Sequence, residues 1–109
     1  MTPEVASFHV SVTETPAGTV LTPHGDMDMA TVGEFERVAG HLVGSGQASL
    51  MIDLSDVAFM DSSGINGLIR VKKACDAAGG QLSLSRPQPR VRDVLRLTGL
   101  TEFLALPPQ

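Results

Sequence analysis

Apolar and polar residues alternate near the start of the chain. Phe8, Val10 and Val12 are separated by polar residues, and this period of two predicts a half-buried strand. The run Thr15-Pro16-Ala17-Gly18 consists of turn-forming residues. The segment 19–22 then has the composition of a returning strand. We therefore predict a β-hairpin as the first unit of the fold.

Further along the chain, apolar residues recur at the spacing of amphipathic helices. The first helix is expected to carry its apolar face on Val32, Phe35, Ala39, Leu42 and Val43. We expect Asp28 at or near its N-cap, and Gly44-Ser45-Gly46 at its end. Gly33 and Gly40 lie inside this helix, and each is expected to cost about 1 kcal/mol relative to alanine.

Two more helices are predicted in the second half of the chain. One runs from about Ser63 to Ala78, where Gly79-Gly80 ends it. The other is opened by the proline-containing run 86–89 and ends near Gly99. Its inward side is expected to carry Val91, Val94, Leu95 and Thr98.

Short segments between the helices predict the remaining strands. They are the apolar run 50–54, the alternating run 81–85 and a last short strand within 100–106. Two strands followed by alternating helices and strands predict an α/β fold, with a mixed sheet of four to five strands and three to four helices packed on it. A length of 109 residues fits a single domain.

The composition narrows the classes of function. A net charge of −4 and the absence of Trp and Tyr argue against nucleic acid and anionic membranes as partners. No apolar run reaches the roughly 18 residues of a membrane helix, and the N-terminus lacks the features of a signal peptide. The single Cys75 allows no internal disulfide. We expect a cytoplasmic protein that binds proteins or small molecules.

Motifs for cofactors and metals are absent from the sequence. The three histidines and Cys75 lack the spacing of a zinc site. Asp53, Asp56 and Asp61 lack the spacing of a calcium loop. The glycines form neither a dinucleotide-binding fingerprint nor a phosphate-binding loop. We therefore expect no cofactor and no bound metal.

The segment Asp61-Ser62-Ser63-Gly64 carries the most distinctive chemistry, because it lies where the second helix is predicted to begin. A helix start presents backbone N–H groups without intrahelical partners and the positive end of the helix dipole. A hydroxyl at this position is accessible, and a phosphate attached to it is electrostatically favoured. The serines could therefore act as a helix cap, as an enzymatic nucleophile or as a phosphoacceptor.

These three roles make different demands. A serine cap stabilises a helix by about 1 kcal/mol. A nucleophile needs a base held in place by a third group, yet the G-x-S-x-G elbow is absent and nothing identifies His9, His24 or His41 as that base. A phosphoserine carries a charge of about −1.5 to −2, which a docked partner with an acidic or apolar surface rejects. The local chemistry leaves the capping and phosphoacceptor roles open.

Four segments, in order, resemble STAS domains and in particular the bacterial anti-sigma factor antagonists. They are the signature-like run 54–65, Gly25-Asp26-Met27-Asp28, Gly79-Gly80-Gln81-Leu82, and Pro89-x-Val91 through Leu95 with Thr98-Gly99-Leu100. The resemblance extends from about Phe8 to Leu106. It implies a single STAS domain over residues 1–109, with a core of about 8–106, and a protein that is not an enzyme.

The resemblance also implies a partner-switching function. The unphosphorylated protein is expected to bind an anti-sigma factor that is also a serine kinase with a histidine-kinase-like ATPase fold, which releases a sigma factor. Phosphorylation of Ser63 would end this binding, and a PP2C-type phosphatase would restore it. Asp28, Asp61, Ser62, Ser63 and Gly64 are the expected partner-binding residues. A weak homodimer stays open, as does the alternative of a constitutive STAS scaffold or ligand-binding module in which Ser63 is not phosphorylated.

Overall fold

The computed structural model describes residues 8–99, and the structural statements below concern that part of the chain. The elements, in order, are β1 (His9–Thr15), β2 (Gly18–His24), α1 (Val32–Gly44), β3 (Ser49–Asp53), α2 (Ser62–Ala77), β4 (Gln81–Ser85) and α3 (Pro89–Leu97). This order confirms the predicted hairpin and the alternation of helices and strands that follows it. The strand predicted within 100–106 lies outside the described residues.

The four strands form one mixed sheet in the order β1-β2-β3-β4. β1 and β2 pair antiparallel around the two-residue loop Pro16-Ala17, with Thr15 opposite Gly18. β3 is parallel to both β2 and β4. Parallel neighbours need a long crossover connection, and α1 and α2 supply the two crossovers. The predicted mixed α/β sheet is therefore confirmed.

The three helices bury one face of the sheet. Alternate residues of the parallel strands, such as Leu21, Ile52 and Leu84, are almost completely buried. They share a core with buried helix residues that include Phe35, Ala39, Leu68, Cys75, Val91 and Leu95. On the other face, Val20, Met51 and Ser83 lie side by side in register, and Met51 is exposed. The period-two pattern thus separates a covered face from an open one.

Three details of the predicted helices differ from the structure. α1 begins at Val32 with Thr31 as its N-cap, so Asp28 is not the cap residue. Asp28 instead closes the turn before the helix, because its carbonyl accepts the N–H groups of Thr31 and Val32. α2 begins at Ser62 and not at Ser63. Thr98, expected on the inward side of α3, is exposed and bonds back to the carbonyl of Val94 as the C-cap.

An ion pair joins the carboxyl ends of β3 and β4. Asp53 is buried, and its carboxylate accepts hydrogen bonds from Arg86 Nη2 at 2.5 Å and from the Ser55 N–H at 3.0 Å. Burial acts to raise the pKa of Asp53, but the hydrogen bonds from Arg86 and Ser55 outweigh it and lower the pKa below its ordinary value. Arg86 makes this bond from a left-handed backbone with φ of 53°. The pair therefore stabilises the start of the loop that leads into α2.

We predict that Arg86→Met lowers the free energy of unfolding by about 1 kcal/mol at neutral pH, since the buried carboxylate loses its charged partner and Arg86 is largely exposed. Because folding lowers the pKa of Asp53, its stabilising effect is present above the ordinary pKa of 3.8 and is lost as the pH falls through the lowered value. Urea unfolding as a function of pH should therefore show the two proteins converging at acid pH. Arg90→Met, on the exposed start of α3, is the matched control. A difference that stays constant down to the lowest pH would contradict this role.

Two helix glycines are predicted to respond oppositely to alanine. A Cβ on Gly40 meets no atom within 4 Å, so Gly40→Ala should raise the free energy of unfolding by about 0.5–1 kcal/mol. A Cβ on Gly67 would overlap Val32 Cγ2 where α2 packs against α1, so Gly67→Ala should lower it by about 1–3 kcal/mol. Urea denaturation of both variants measures the two effects. Changes of the same sign would contradict this description of the helix contact.

Candidate functional site

The candidate site forms where the loop after β2 lies along the loop that leads into α2. Three backbone hydrogen bonds join the two loops: Gly25 N–H to Asp56 O at 3.1 Å, Met27 N–H to Phe59 O at 2.9 Å, and Asp61 N–H to Met27 O at 3.2 Å. Met27 and Met60 form an isolated parallel bridge, and both side chains are buried. The two methionines therefore anchor the loops in the core.

This pairing brings the predicted site residues together. Asp28 and Asp61 each follow directly after one of the two paired methionines, so they lie at the same end of the molecule. Gly64 fits against the same pair, since a Cβ there would lie 2.5 Å from Met27 O and 2.7 Å from Met60 Cγ. Only a glycine allows α2 to start this close to the loop. The structure thus places the Asp28 turn beside the Asp61-Ser62-Ser63-Gly64 segment.

Asp61, and neither serine, caps α2. Its Oδ1 accepts the N–H of Ser63 at 2.9 Å and the N–H of Gly64 at 3.2 Å, and its own backbone is extended, as is usual for an N-cap. Of the roles that the sequence left open for Ser62 and Ser63, helix capping is therefore filled by Asp61 instead. The physical reason is that a carboxylate one residue earlier already satisfies the N–H groups that a serine would have accepted.

The two serines occupy the first and second positions of the helix. Ser62 is exposed and Ser63 is partly buried. Among the hydrogen bonds of the described residues, none involves either side-chain hydroxyl. Both hydroxyls can therefore react without breaking an interaction that the described fold uses.

Asp28 has a structural role of its own. Its Oδ1 accepts the N–H of Ala30 at 2.9 Å, and its N–H donates to Thr31 Oγ1 at 3.0 Å. Thr31 in turn donates its hydroxyl proton to Asp26 O at 2.7 Å. These bonds hold the turn in one conformation, so the partly buried Asp28 carboxylate has a defined position at the site.

The surface around the serines combines negative charge with exposed apolar side chains. Residues 8–36 and 54–69 contain no Lys or Arg, whereas both loops of the site carry aspartates. Met29 is 81% exposed and Phe59 is 42% exposed, one in each loop. The periodicity analysis did not single out either residue, because an apolar residue in a loop has no pattern that distinguishes exposure from burial. Exposed large apolar groups of this kind are typical of protein-binding surfaces.

The structure supplies no base for a serine nucleophile at 62 or 63 among the described residues. His24 bonds to Ser11 and Asp56, and the imidazole of His9 stacks on that of His24. Residues 8–99 also contain no cluster of three or more His, Cys, Asp or Glu that could hold a metal ion. None of the described helices has the length and apolar character needed to cross a bilayer.

Comparisons with known proteins agree with this fold. The model of the STAS domain family matches residues 9–108. The anti-sigma-B factor antagonist of Staphylococcus aureus is 26% identical over 80 residues, which are 73% of this chain and 74% of the relative. The solved structure of an anti-sigma factor antagonist from Mycobacterium paratuberculosis has a TM-score of 0.83 and 28% identity, over 94% of this chain and 87% of the other.

A third comparison is with SpoIIAA of Bacillus in its phosphorylated form, which has a TM-score of 0.69 and 21% identity over 94% of this chain and 93% of the other. The fold is the same, with a mixed sheet and helices on it. The chain belongs to the STAS domain family. This family assignment confirms the resemblance that the four sequence segments indicated.

We predict that Asp61→Ala lowers the free energy of unfolding by about 1 kcal/mol, because two N–H groups at the start of α2 lose their acceptor. Ser62→Ala and Ser63→Ala should change it by less than about 0.5 kcal/mol, as is usual for surface substitutions. Chemical denaturation of the three variants measures these differences. A loss in Ser63→Ala as large as that in Asp61→Ala would show that Ser63 supports the fold after all.

Proposed function

We propose that this protein is a phosphorylation-controlled anti-sigma factor antagonist. In its unphosphorylated form it binds an anti-sigma factor that is also a serine kinase, and it thereby releases a sigma factor. Phosphorylation of Ser63 ends the binding, and a PP2C-type phosphatase restores it. The observation that carries this proposal is at the start of α2. Asp61 caps the helix there, and the hydroxyl of Ser63 makes no hydrogen bond among the described residues.

The membership of the STAS family and the names of the relatives support the antagonist function. The surface supports a protein as the partner. Met29 and Phe59 offer exposed apolar contacts beside the serines, which favours an apolar partner surface over this position. Asp28, Asp61, Ser62, Ser63 and Gly64 form the centre of the proposed interface.

Phosphorylation would change this surface strongly. A phosphate on Ser63 adds about −1.5 to −2 charges beside the Asp61 carboxylate. The N–H groups of Ser63 and Gly64 are already bonded to Asp61, and the two loops of the site contribute no Lys or Arg to pair with the added charge. Docking a partner over this position would strip water from a dianion without providing a counter-charge, which is costly. Loss of binding therefore requires no change of fold.

The test uses the anti-sigma factor kinases encoded in the source genome, purified one by one with ADP so that no phosphate is transferred. Isothermal titration calorimetry then gives the Kd of each kinase for the wild type, Ser63→Ala and Ser63→Asp. We expect wild type and Ser63→Ala to bind one kinase equally, and Ser63→Asp to bind it at least about tenfold more weakly, since the added carboxylate would be buried without a counter-charge. Ser49→Asp is the charge-matched control, because exposed Ser49 begins β3 and lies outside the loops of the site.

Two results would contradict parts of this proposal. Equal affinity of Ser63→Asp and wild type would remove the electrostatic switch and favour the alternative of a constitutive STAS scaffold. Failure of every kinase to bind the unphosphorylated wild type would contradict the antagonist function itself. A loss of affinity in Ser49→Asp equal to that in Ser63→Asp would show that net charge, and not the position of the charge, controls binding.

A further inference from the structure

A second serine lies in a hydrogen-bonded chain with a histidine and an aspartate, on the open face of the sheet. Ser11 Oγ is 2.9 Å from His24 Nε2, and His24 Nδ1 is 2.6 Å from Asp56 Oδ2. Ser11 is on β1 opposite Thr22, and His24 ends β2 two residues further on, so the two side chains are diagonal neighbours on one face. The third member, Asp56, comes from the loop after β3.

The direction of each hydrogen bond between Ser11, His24 and Asp56 follows from the chemistry of the groups. The Asp56 carboxylate can only accept, so His24 Nδ1 carries the hydrogen of the 2.6 Å bond. In the neutral imidazole, Nε2 is then an acceptor, and the Ser11 hydroxyl donates to it. This is the arrangement in which a base removes the proton from a serine while a carboxylate holds the base in the correct tautomer.

Neighbouring contacts hold the three groups in place. The imidazole of His9 stacks on that of His24, with ring centroids 4.5 Å apart and planes 17° apart. The carbonyl of Asp56 accepts the N–H of Gly25 at 3.1 Å, which fixes the loop directly beside His24. The side chain of His24 is 29% exposed and Ser11 is exposed, so a small reagent can reach the hydroxyl from solvent.

We propose that Ser11 is an acyl-acceptor site for activated esters. Ser11 Oγ attacks the ester carbonyl carbon, and its proton moves to His24 Nε2 as the new C–O bond forms. The bond between the carbonyl carbon and the leaving oxygen then breaks, and the leaving alcohol takes the proton from His24. The products are O-acyl Ser11 and the free alcohol, and His24 and Asp56 return to their starting protonation.

The proposed event is a single modification and not a catalytic cycle. Fast turnover also requires donors prearranged for the oxyanion, in a site shielded from water. Ser11 instead lies at the surface, so the acyl group is expected to accumulate on the protein. The proposal does not rest on the Ser63 switch: Asp56 lies in the loop that leads into α2, but none of the three reacting side chains bonds to Ser62 or Ser63.

The test uses p-nitrophenyl acetate as the probe. The full-length protein is incubated with the ester, and the adduct is measured by intact mass and assigned by peptide mapping. We expect one acetyl group located on Ser11, none at position 11 in Ser11→Ala, and a rate of acetylation at this position at least tenfold lower in His24→Gln, since general-base catalysis contributes about 10²–10⁴-fold. Asp56→Ala should also slow the reaction while leaving Ser11 and His24 in place.

Ser83→Ala is the matched control, since Ser83 is a serine on the same open face outside the hydrogen-bonded chain. It should acetylate at the wild-type rate. Far-UV circular dichroism establishes that each variant is folded. An adduct confined to lysines or the N-terminus would overturn the proposal. Acetylation of Ser11 at an unchanged rate in both His24→Gln and Asp56→Ala would overturn it equally.

Discussion

The site depends on the backbone pairing between the loop after β2 and the loop before α2. Met27 and Met60 bury their side chains in the core, and the hydrogen bonds around them bring Asp28 and Asp61 to one end of the sheet. Gly64 completes the fit, because a larger residue would push α2 away from Met27 O. The position of Ser62 and Ser63 is therefore determined by a buried contact, and the fold itself orders the surface around them.

At the start of α2, the residue that caps the helix is neither of the two serines that could accept a modification. Asp61 accepts the N–H groups that would otherwise lack partners, so the stability of the helix does not rest on either hydroxyl. Ser63 can then be modified at little cost to the fold. The same geometry alters the expected role of the helix dipole. Two of the N–H groups that could have received a phosphate on Ser63 are already bonded to Asp61, so the helix start offers the added charge less stabilisation than an uncapped terminus would.

Much of the fold could be predicted from the sequence, since hydrophobic periodicity reports directly on which face of an element is buried. The strand Gln81–Ser85 was predicted with its observed bounds, and the hairpin and three helices were also correct. Helix starts were less predictable, because Asp61, Ser62 and Thr31 are all good N-caps and only tertiary contacts choose among them. Contacts between distant segments, such as that of His24 with Asp56, cannot be predicted from the spacing of residues along the sequence.

The proposed function assigns the switch of this protein to Ser63. The most direct test is phosphopeptide mapping of the native protein, isolated from its own cells with phosphatase inhibitors present. We expect a fraction of molecules with one phosphate, carried on Ser63 and absent from Ser62. We also expect the phosphorylated fraction to be missing from the pool bound to the anti-sigma factor. A native protein without phosphate under all growth conditions, or with phosphate on Ser63 in the bound pool, would contradict the assignment.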